Sequence, residues 1–405
     1  TVTGTSTAPA LPSTTTPDPM LSADAVDVGT SILIAVLVAG ICRNRGWSTA
    51  IPLLVAGIVV GIAPIGPTGP ADPEFVLVVV LAPLVFGEAL TSSIVDLRRV
   101  SRPVMALAIG LVVVGAVAVG FIAQWIIPGI WTPMAFALGA ILGPTDAVAV
   151  SATARKAGLP RRLVHVLEGE SLVNDGTALT LLRVCSVAAA AGSVTAWQAT
   201  GILLSSVLGG VLVGLLGGMA LVATVRRSRD TTVANGAILL APLPLYYIAE
   251  VVNGSGILAV VLAALVVAHG TSSAVTYTGR LQAASLWTTI TFILQSAAFF
   301  LVGLEMPLVV KGLPAGQLST VLVAIPVVFL TLVATRFLFV FVMTTASGSR
   351  SPGWIVGAWA GTRGPVSALA AFTLPVTTSA GADIPDRALV ICVTFGVVLV
   401  SLLLA

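Results

Sequence analysis

Charge is what this sequence has least of. Asp, Glu, Lys and Arg together make up 9% of its 405 residues, against 57% hydrophobic residues. A soluble domain carries about 25% charged residues, so a chain this apolar cannot cover itself with polar surface in water, and lipid is its natural solvent. No stretch is long or polar enough to be a separate soluble domain. Cysteine is also scarce. Cys42, Cys185 and Cys392 lie far apart in apolar runs, which argues against a disulfide framework and leaves them as small hydrophobic fillers. The sequence has only two histidines, neither of them mid-segment, and no His-Glu-x-x-His. That argues against a zinc-dependent intramembrane hydrolase. The absence of Gly-x-x-x-x-Gly-Lys-Ser/Thr argues against an ATP-driven pump. No cofactor and no nucleic-acid partner is implied.

Residues 1–25 are rich in Thr, Pro, Ala and Ser and read as a disordered tail. They have no basic n-region, so they do not read as a signal peptide. The sequence stops at Ala405 inside an apolar run, so a further C-terminal tail is expected beyond it. Between these ends, apolar runs of the length that crosses a bilayer predict an all-α membrane protein of about 13 transmembrane helices. They fall at 26–42, 47–64, 75–92, 103–127, 131–154, 163–191, 195–225, 231–252, 254–269, 281–306, 316–345, 353–376 and 386–405. The loops after odd-numbered segments hold fourteen Lys and Arg, among them Arg43, Arg98, Arg155, Arg226, Arg280 and Arg350. The even-numbered loops hold only Lys311 and Arg387. The positive-inside rule then puts the N-terminus outside and the C-terminus in the cytoplasm, and the expected location is the inner (plasma) membrane.

Several charges fall inside the segments: Arg183, Arg336 and Arg363, with Asp146, Glu168, Glu170, Asp175 and Glu250. An ionisable group in hydrocarbon costs about 3 kcal/mol or more unless paired or hydrated, so each is a functional candidate. Two of these charges mark an internal repeat. Segment 5 reads Gly-Ala-Ile-Leu-Gly-Pro-Thr-Asp-Ala-Val-Ala over 139–149, and segment 12 reads Gly-Ala-Trp-Ala-Gly-Thr-Arg-Gly-Pro-Val-Ser-Ala over 357–368. Proline removes an amide donor and blocks the preceding turn, so each helix should break at its Gly-Pro pair. The two segments cross the membrane in opposite senses, as inverted repeats do, and matching interrupted segments point to a transporter binding site. Asp146 follows one break and Arg363 precedes the other, where an acid can offset exposed amides and a base exposed carbonyls. The plainer alternative is two prolines that kink helices for packing alone.

Segment 6 carries Glu-Gly-Glu-Ser-Leu-Val-Asn-Asp-Gly-Thr over 168–177. At 100° per residue, Glu168, Ser171 and Asp175 share one face, with Glu170 and Asn174 beside it. Oxygen ligands alone suit a hard cation rather than zinc or copper. Asp175 supplies charge, while Ser171, Thr145 and freed backbone carbonyls supply neutral oxygens. A proton and a cation would then compete for one carboxylate, the minimum machinery for antiport. Several bare carboxylates in one dry site are too costly, so Glu170 is expected to pair with Arg336, with Asn174 orienting the site. A buried hydrogen-bond network that only glues helices together is the competing reading of this face.

At these residues the sequence closely resembles the monovalent cation/proton antiporters, in their sodium/proton exchanger branch. The matching motifs are Gly143-Pro144-Thr145-Asp146, Glu170-Ser171-Leu172-Val173-Asn174-Asp175 and Gly361-Thr362-Arg363-Gly364-Pro365-Val366-Ser367, with Arg336 in segment 11. Leu81-Ala-Pro-Leu-Val-Phe86 followed by Glu88 resembles the family's segment-3 motif. There the acid stands directly after Phe, but here Gly87 intervenes, which leaves Glu88 without an assigned role. The resemblance implies inverted repeats with two broken crossing helices and a homodimer. It implies scaffold and dimerisation helices over 26–95 and 231–306, a mobile core over 103–191 and 316–405, and a linker helix over 195–229. It implies Asp175 as the ion and proton carrier beside Thr145 and Ser171, a Glu170–Arg336 bridge steadied by Asn174, and electroneutral exchange.

The expected substrates are therefore a monovalent cation, Na⁺ or Li⁺, and the proton, with lipid around the chain. A K⁺/H⁺ antiporter and a cation channel remain as alternatives. Among the other charges, His165 is expected in solvent at the cytoplasmic edge of segment 6, and Glu305 and Glu250 at water or headgroups near outer ends. Arg183 either snorkels or pairs with an acid. Trp125, Trp131 and Trp197 fall near outer boundaries, as an aromatic belt places them. The charge asymmetry makes a direct prediction about orientation. In a cysteine-free background, Ser228→Cys should be labelled by an impermeant thiol reagent from the cytoplasmic side alone, and Thr68→Cys from outside alone. Reversed labelling would overturn the segment count.

Overall fold

The computed structural model describes residues 19–63, 75–92, 94–146, 160–192, 194–228, 230–271, 277–314, 316–346, 358–359 and 361–404. Most of the tail expected over 1–25 lies outside them, as do the 66–73 loop, residues 147–159 and residues 347–357. The described chain is nearly all helix. Its one β feature among the described residues is an isolated bridge between Thr377 and Asp383.

The helices are numbered here in chain order. They are α1 (Pro19–Asn44), α2 (Ala50–Ile62), α3 (Val76–Thr91), the short α4 (Ile94–Arg99), α5 (Ser101–Ile126) and α6 (Thr132–Ile141). There follow α7 (Arg161–Ala191), α8 (Ala196–Arg227), α9 (Thr231–Val251), α10 (Gly256–Thr271), α11 (Tyr277–Lys311), α12 (Gln317–Ala346), α13 (Pro365–Phe372) and α14 (Arg387–Leu403). Six helices are long and apolar enough to cross a membrane, and six shorter apolar helices of 10–17 residues accompany them. The chain is a multi-pass membrane protein, and large hydrophobic side chains such as Leu208, Leu212, Leu322 and Leu330 lie exposed on its outer faces, as lipid contact requires.

Local chemistry accounts for the helix ends and irregularities. A capping box opens α8: the Gln198 amide donates to Thr195 Oγ1 at 3.3 Å, and the Thr195 amide donates to Gln198 Oε1 at 2.9 Å. Asp230 Oδ1 accepts from the Thr232 amide at 2.7 Å to start α9. Gly192, at φ +82°, ends α7. A widened π-helical turn over Val76–Leu81 precedes Pro83 in α3, and another over Ala106–Leu111 follows Pro103 in α5. Proline cannot complete the regular ladder, and neighbouring turns adjust to it.

Segments 5 and 12 break where their Gly-Pro pairs predict. The helix of segment 5 ends at Ile141, and residues 143–146 are neither helix nor strand. In segment 12, residues 361–364 are neither helix nor strand, and extended Gly364 leads into α13, which starts at Pro365.

With lipid as the solvent, helix association rests on close packing more than on a hydrophobic drive. The tightest backbone approach is between α2 and α11. A Cβ added at Gly57 would lie 2.2 Å from the Phe300 carbonyl oxygen, and one at Gly303 would lie 2.2 Å from that of Leu54. Neither site can admit a side chain without parting the helices. Gly303→Leu should therefore lower the thermal unfolding midpoint in detergent, at a cost of about 1–3 kcal/mol or more. Gly40→Leu on α1, where nothing lies within 4 Å, should leave that midpoint nearly unchanged. Equal midpoints for the two variants would contradict the packing.

Candidate functional site

The two unwound segments cross and satisfy one another. The Asp146 amide donates to the Thr362 carbonyl at 2.8 Å. The Arg363 guanidinium reaches back across the crossing and donates from Nη1 to the carbonyls of Gly143 at 2.9 Å and Pro144 at 3.0 Å. These are the carbonyls that the break in segment 5 deprives of intrahelical partners. The Arg363 amide is held by Ser401 Oγ of α14 at 2.8 Å. Asp146 packs against Gly364, where an added Cβ would come within 2.8 Å of its Cβ and 2.9 Å of its Oδ2. Its carboxylate thus sits at the N-terminal end of α13, where negative charge is stabilised. Each break is served by the charged residue of the opposite repeat.

Beside this crossing, α7 presents its polar face. Glu170 is fully inside the protein and meets Arg336 of α12 through two parallel hydrogen bonds, Nη1 to Oε1 at 2.5 Å and Nη2 to Oε2 at 2.9 Å. The expected pair is present in its strongest, bidentate form. Thr145 Oγ1 lies 2.9 Å from Ser171 Oγ and accepts from Asn174 Nδ2 at 3.0 Å. Asn174 thereby ties the unwound strand of segment 5 to α7.

Asp175 lies one helical turn beyond Ser171 and lines a small cavity of about 10 Å³. That is roughly the room of one water molecule or small ion. Thr145 and Asp146 from the unwound segment, Ser367 from α13, Glu88 from α3 and Gln295 from α11 line it too. Asp175 Oδ1 and Ser367 Oγ are buried without a hydrogen-bond partner among the described residues, as is the nearby Asn174 Oδ1. Buried polar atoms are rarely left so. Two orphaned oxygens on one small cavity fit a ligand that accepts oxygen donors, and a monovalent cation or a proton is such a ligand. Around the crossing stand four carboxyl groups, Glu88, Asp146, Glu170 and Asp175, against the two guanidinium groups of Arg336 and Arg363. The excess is negative and has to be met by cations or protons.

The eight residues singled out from the sequence fall into three groups. Asp175, Thr145 and Asp146 line the cavity. Ser171 and Asn174 hold Thr145 in place. Glu170, Arg336 and Arg363 turn away from the cavity to the ion pair and the exposed carbonyls. The residues without an assigned role are Glu88, Gln295 and Ser367. Glu88 is displaced by Gly87 from the motif position, yet it still lines the cavity. Gln295 carries no sequence signal, since a lone Gln in an apolar helix resembles many others.

Other charges end up elsewhere than expected. Glu305 is buried, with 5% of its surface exposed, and feels the charge of Arg387, so it does not reach water as an outer-end acid should. His165 belongs to the first turns of α7 rather than a loop, with Nδ1 3.6 Å from Glu168 Oε2. Arg183 pairs with Glu250 Oε2 at 3.1 Å and donates to the Gly254 carbonyl, joining α7 to the α9–α10 turn.

The chain matches known proteins over nearly its whole length. A family model described as sodium/hydrogen exchanger, transmembrane, matches residues 31–405. An uncharacterised Na⁺/H⁺ exchanger of Mycobacterium tuberculosis is 34% identical over 389 residues, which is 92% of this chain and 71% of that protein. A sodium, potassium, lithium and rubidium/H⁺ antiporter of Bacillus pumilus is 32% identical over 397 residues, 92% of this chain and 59% of that protein. Among solved structures, the sodium proton antiporter MjNhaP1 of Methanocaldococcus jannaschii shares the fold. Its TM-score is 0.77 at 20% identity, over 95% of this chain and 96% of that one.

The ion pair lends itself to a thermodynamic cycle. Arg336→Gln alone strands the Glu170 carboxylate and should cost about 3–5 kcal/mol in unfolding free energy. Glu170→Gln together with Arg336→Gln should recover part of that loss. Strictly additive losses would show that the two side chains do not interact.

Proposed function

Since the chain belongs to the sodium/hydrogen exchanger family, whose members are transporters rather than enzymes, we propose that it exchanges Na⁺ or Li⁺ for H⁺ by alternating access, electroneutrally. The observation that carries this reading is the 10 Å³ cavity with the unpartnered Asp175 Oδ1 and Ser367 Oγ on its wall. Asp175 is the carrier: one carboxylate held in turn by a proton and by a cation, never left bare. Thr145 and Ser367 contribute neutral oxygens, and Glu88 contributes a second carboxyl from the opposite wall. Asp146, Arg363 and the Glu170–Arg336 pair hold the carrier's surroundings in shape without touching the ion.

Alternating access finds support in the origin of the cavity wall. Thr145, Asp146, Asp175 and Ser367 come from the segments assigned to the mobile core, 103–191 and 316–405. Glu88 and Gln295 come from α3 and α11, in the scaffold segments 26–95 and 231–306. A site on the boundary between two bodies opens to one side or the other when they rock. The linker over 195–229, the homodimer through the scaffold, the external N-terminus and the plasma membrane belong to the same proposal and rest on the family's pattern and the charge asymmetry.

A second reading is K⁺/H⁺ exchange, favoured by the potassium in the name of the Bacillus pumilus relative. Both readings are tested in proteoliposomes by following proton efflux driven by Na⁺, Li⁺ and K⁺ separately. Saturable efflux with Na⁺ and Li⁺ supports the first reading, equal efflux with K⁺ the second, and non-saturable flux a channel. Asp175→Asn keeps the shape of the carrier and removes the group that alternates between proton and cation. It should fold, with unchanged or higher thermal stability because a buried charge is gone, and it should lose coupled exchange for every cation. Near-normal sodium-driven flux in that variant would move the carrier to Glu88 or Asp146.

A further inference from the structure

A second cavity, much larger than the ion site, lies among the described residues. It is a crevice of about 1260 Å³ between α5 and α7 on one side and α8 and α10 on the other, larger than the roughly 300–1,000 Å³ of ordinary small-molecule sites. Its walls are aliphatic, with Leu181, Val207, Leu262 and Val266 among them. The two threonine hydroxyls along it are spent internally. Thr177 Oγ1 donates to the Val173 carbonyl at 3.2 Å, and Thr180 Oγ1 to that of Gly176 at 2.6 Å. The crevice therefore offers water and cations little to bind.

One end of this crevice is cationic. Arg98 from α4 and Arg226 and Arg227 from the last turn of α8 converge there. Arg226 donates from Nη2 to the Gly270 carbonyl at 3.0 Å, so its role as a cap to α10 is accounted for. Arg98 and Arg227 are exposed, and neither is in a salt bridge among the described residues. A cluster of guanidinium groups at the mouth repels cations, which sets this crevice apart from any entry route to Asp175. Its chemistry calls for an occupant with a long apolar body and an anionic head. Arginine forks match phosphate, and basic pockets between membrane helices bind anionic headgroups.

We propose that this crevice is a binding site for one anionic phospholipid of the surrounding bilayer, with its phosphate on Arg98, Arg226 and Arg227 and its acyl chains along α7, α8 and α10. The site lies behind the ion-carrying helix: Gly176 and Thr177 line the crevice while Asp175, beside them in sequence, faces the ion cavity. A bound lipid would join α4 and α8 across the crevice mouth. This inference concerns lipid binding alone and stands whichever cation is transported.

The test is native mass spectrometry of the purified full chain, equilibrated with phosphatidylglycerol or phosphatidylcholine of identical acyl chains. The wild type should retain one phosphatidylglycerol, with a preference of about tenfold or more over phosphatidylcholine. The triple variant Arg98→Gln, Arg226→Gln, Arg227→Gln should lose that preference, while Arg43→Gln with Arg45→Gln at another loop should keep it. Val207→Trp, which fills the crevice and leaves the arginines in place, should lower retention of phosphatidylglycerol on a chain that stays monodisperse. Equal retention of both lipids by the wild type would overturn the proposal. So would undiminished preference in the triple variant, or undiminished retention in Val207→Trp.

Discussion

Two helices that break inside a membrane leave backbone carbonyls and amides with no water to satisfy them, and the centre of this protein is organised around that constraint. The crossing resolves it by exchange between repeats. Asp146 donates its amide to Thr362, and Arg363 covers the carbonyls of Gly143 and Pro144. Neither break could persist alone, because each supplies what the other lacks. Glycine at 364 is then required, since any side chain there would displace the Asp146 carboxylate. The unwound strand so fixed carries Thr145, and Ser171 and Asn174 lock it to α7. Asp175 reaches the crossing on that same helix.

The electrostatics follow from this scaffold. Buried charge is tolerable when it is paired and hydrogen-bonded, and the Glu170–Arg336 fork meets that condition completely. Arg363 meets it with backbone dipoles. What is left over is carboxylate, from Asp175 and Glu88 on a cavity of about 10 Å³. A cavity that small cannot hydrate a charge. The surplus acid can only be neutralised by a proton or by a cation stripped of most of its water, and that restriction links the two ions without any further moving part at the site.

Much of this was legible in the sequence, for identifiable reasons. A Gly-Pro pair inside an apolar run removes a donor and blocks the preceding turn, and its recurrence in segments 5 and 12 made the two breaks readable. Carboxylates inside apolar helices are too costly to be incidental, so the face of α7 read clearly as well. The partner of Glu170 was legible because few bases lie within the segments. Glu88 lines the cavity despite the inserted Gly87, because the spacing of a motif does not show what packs around its helix. Glu305 was read as an outer-end acid because position along a segment says nothing about what packs against it. Gln295 and the large crevice behind α7 had no signal, since both arise from helices far apart in the chain.

The central claim is that one carboxylate-lined cavity serves proton and cation in turn. Its most direct test is the pH dependence of the apparent KM for sodium, measured in proteoliposomes at fixed driving force. Competition for one site predicts that KM rises as pH falls, approaching about tenfold per pH unit on the acid side, while the maximal rate at saturating sodium holds steady. A KM that stays constant across that range while the maximal rate falls would mean that proton and cation bind separate sites, and would contradict the account.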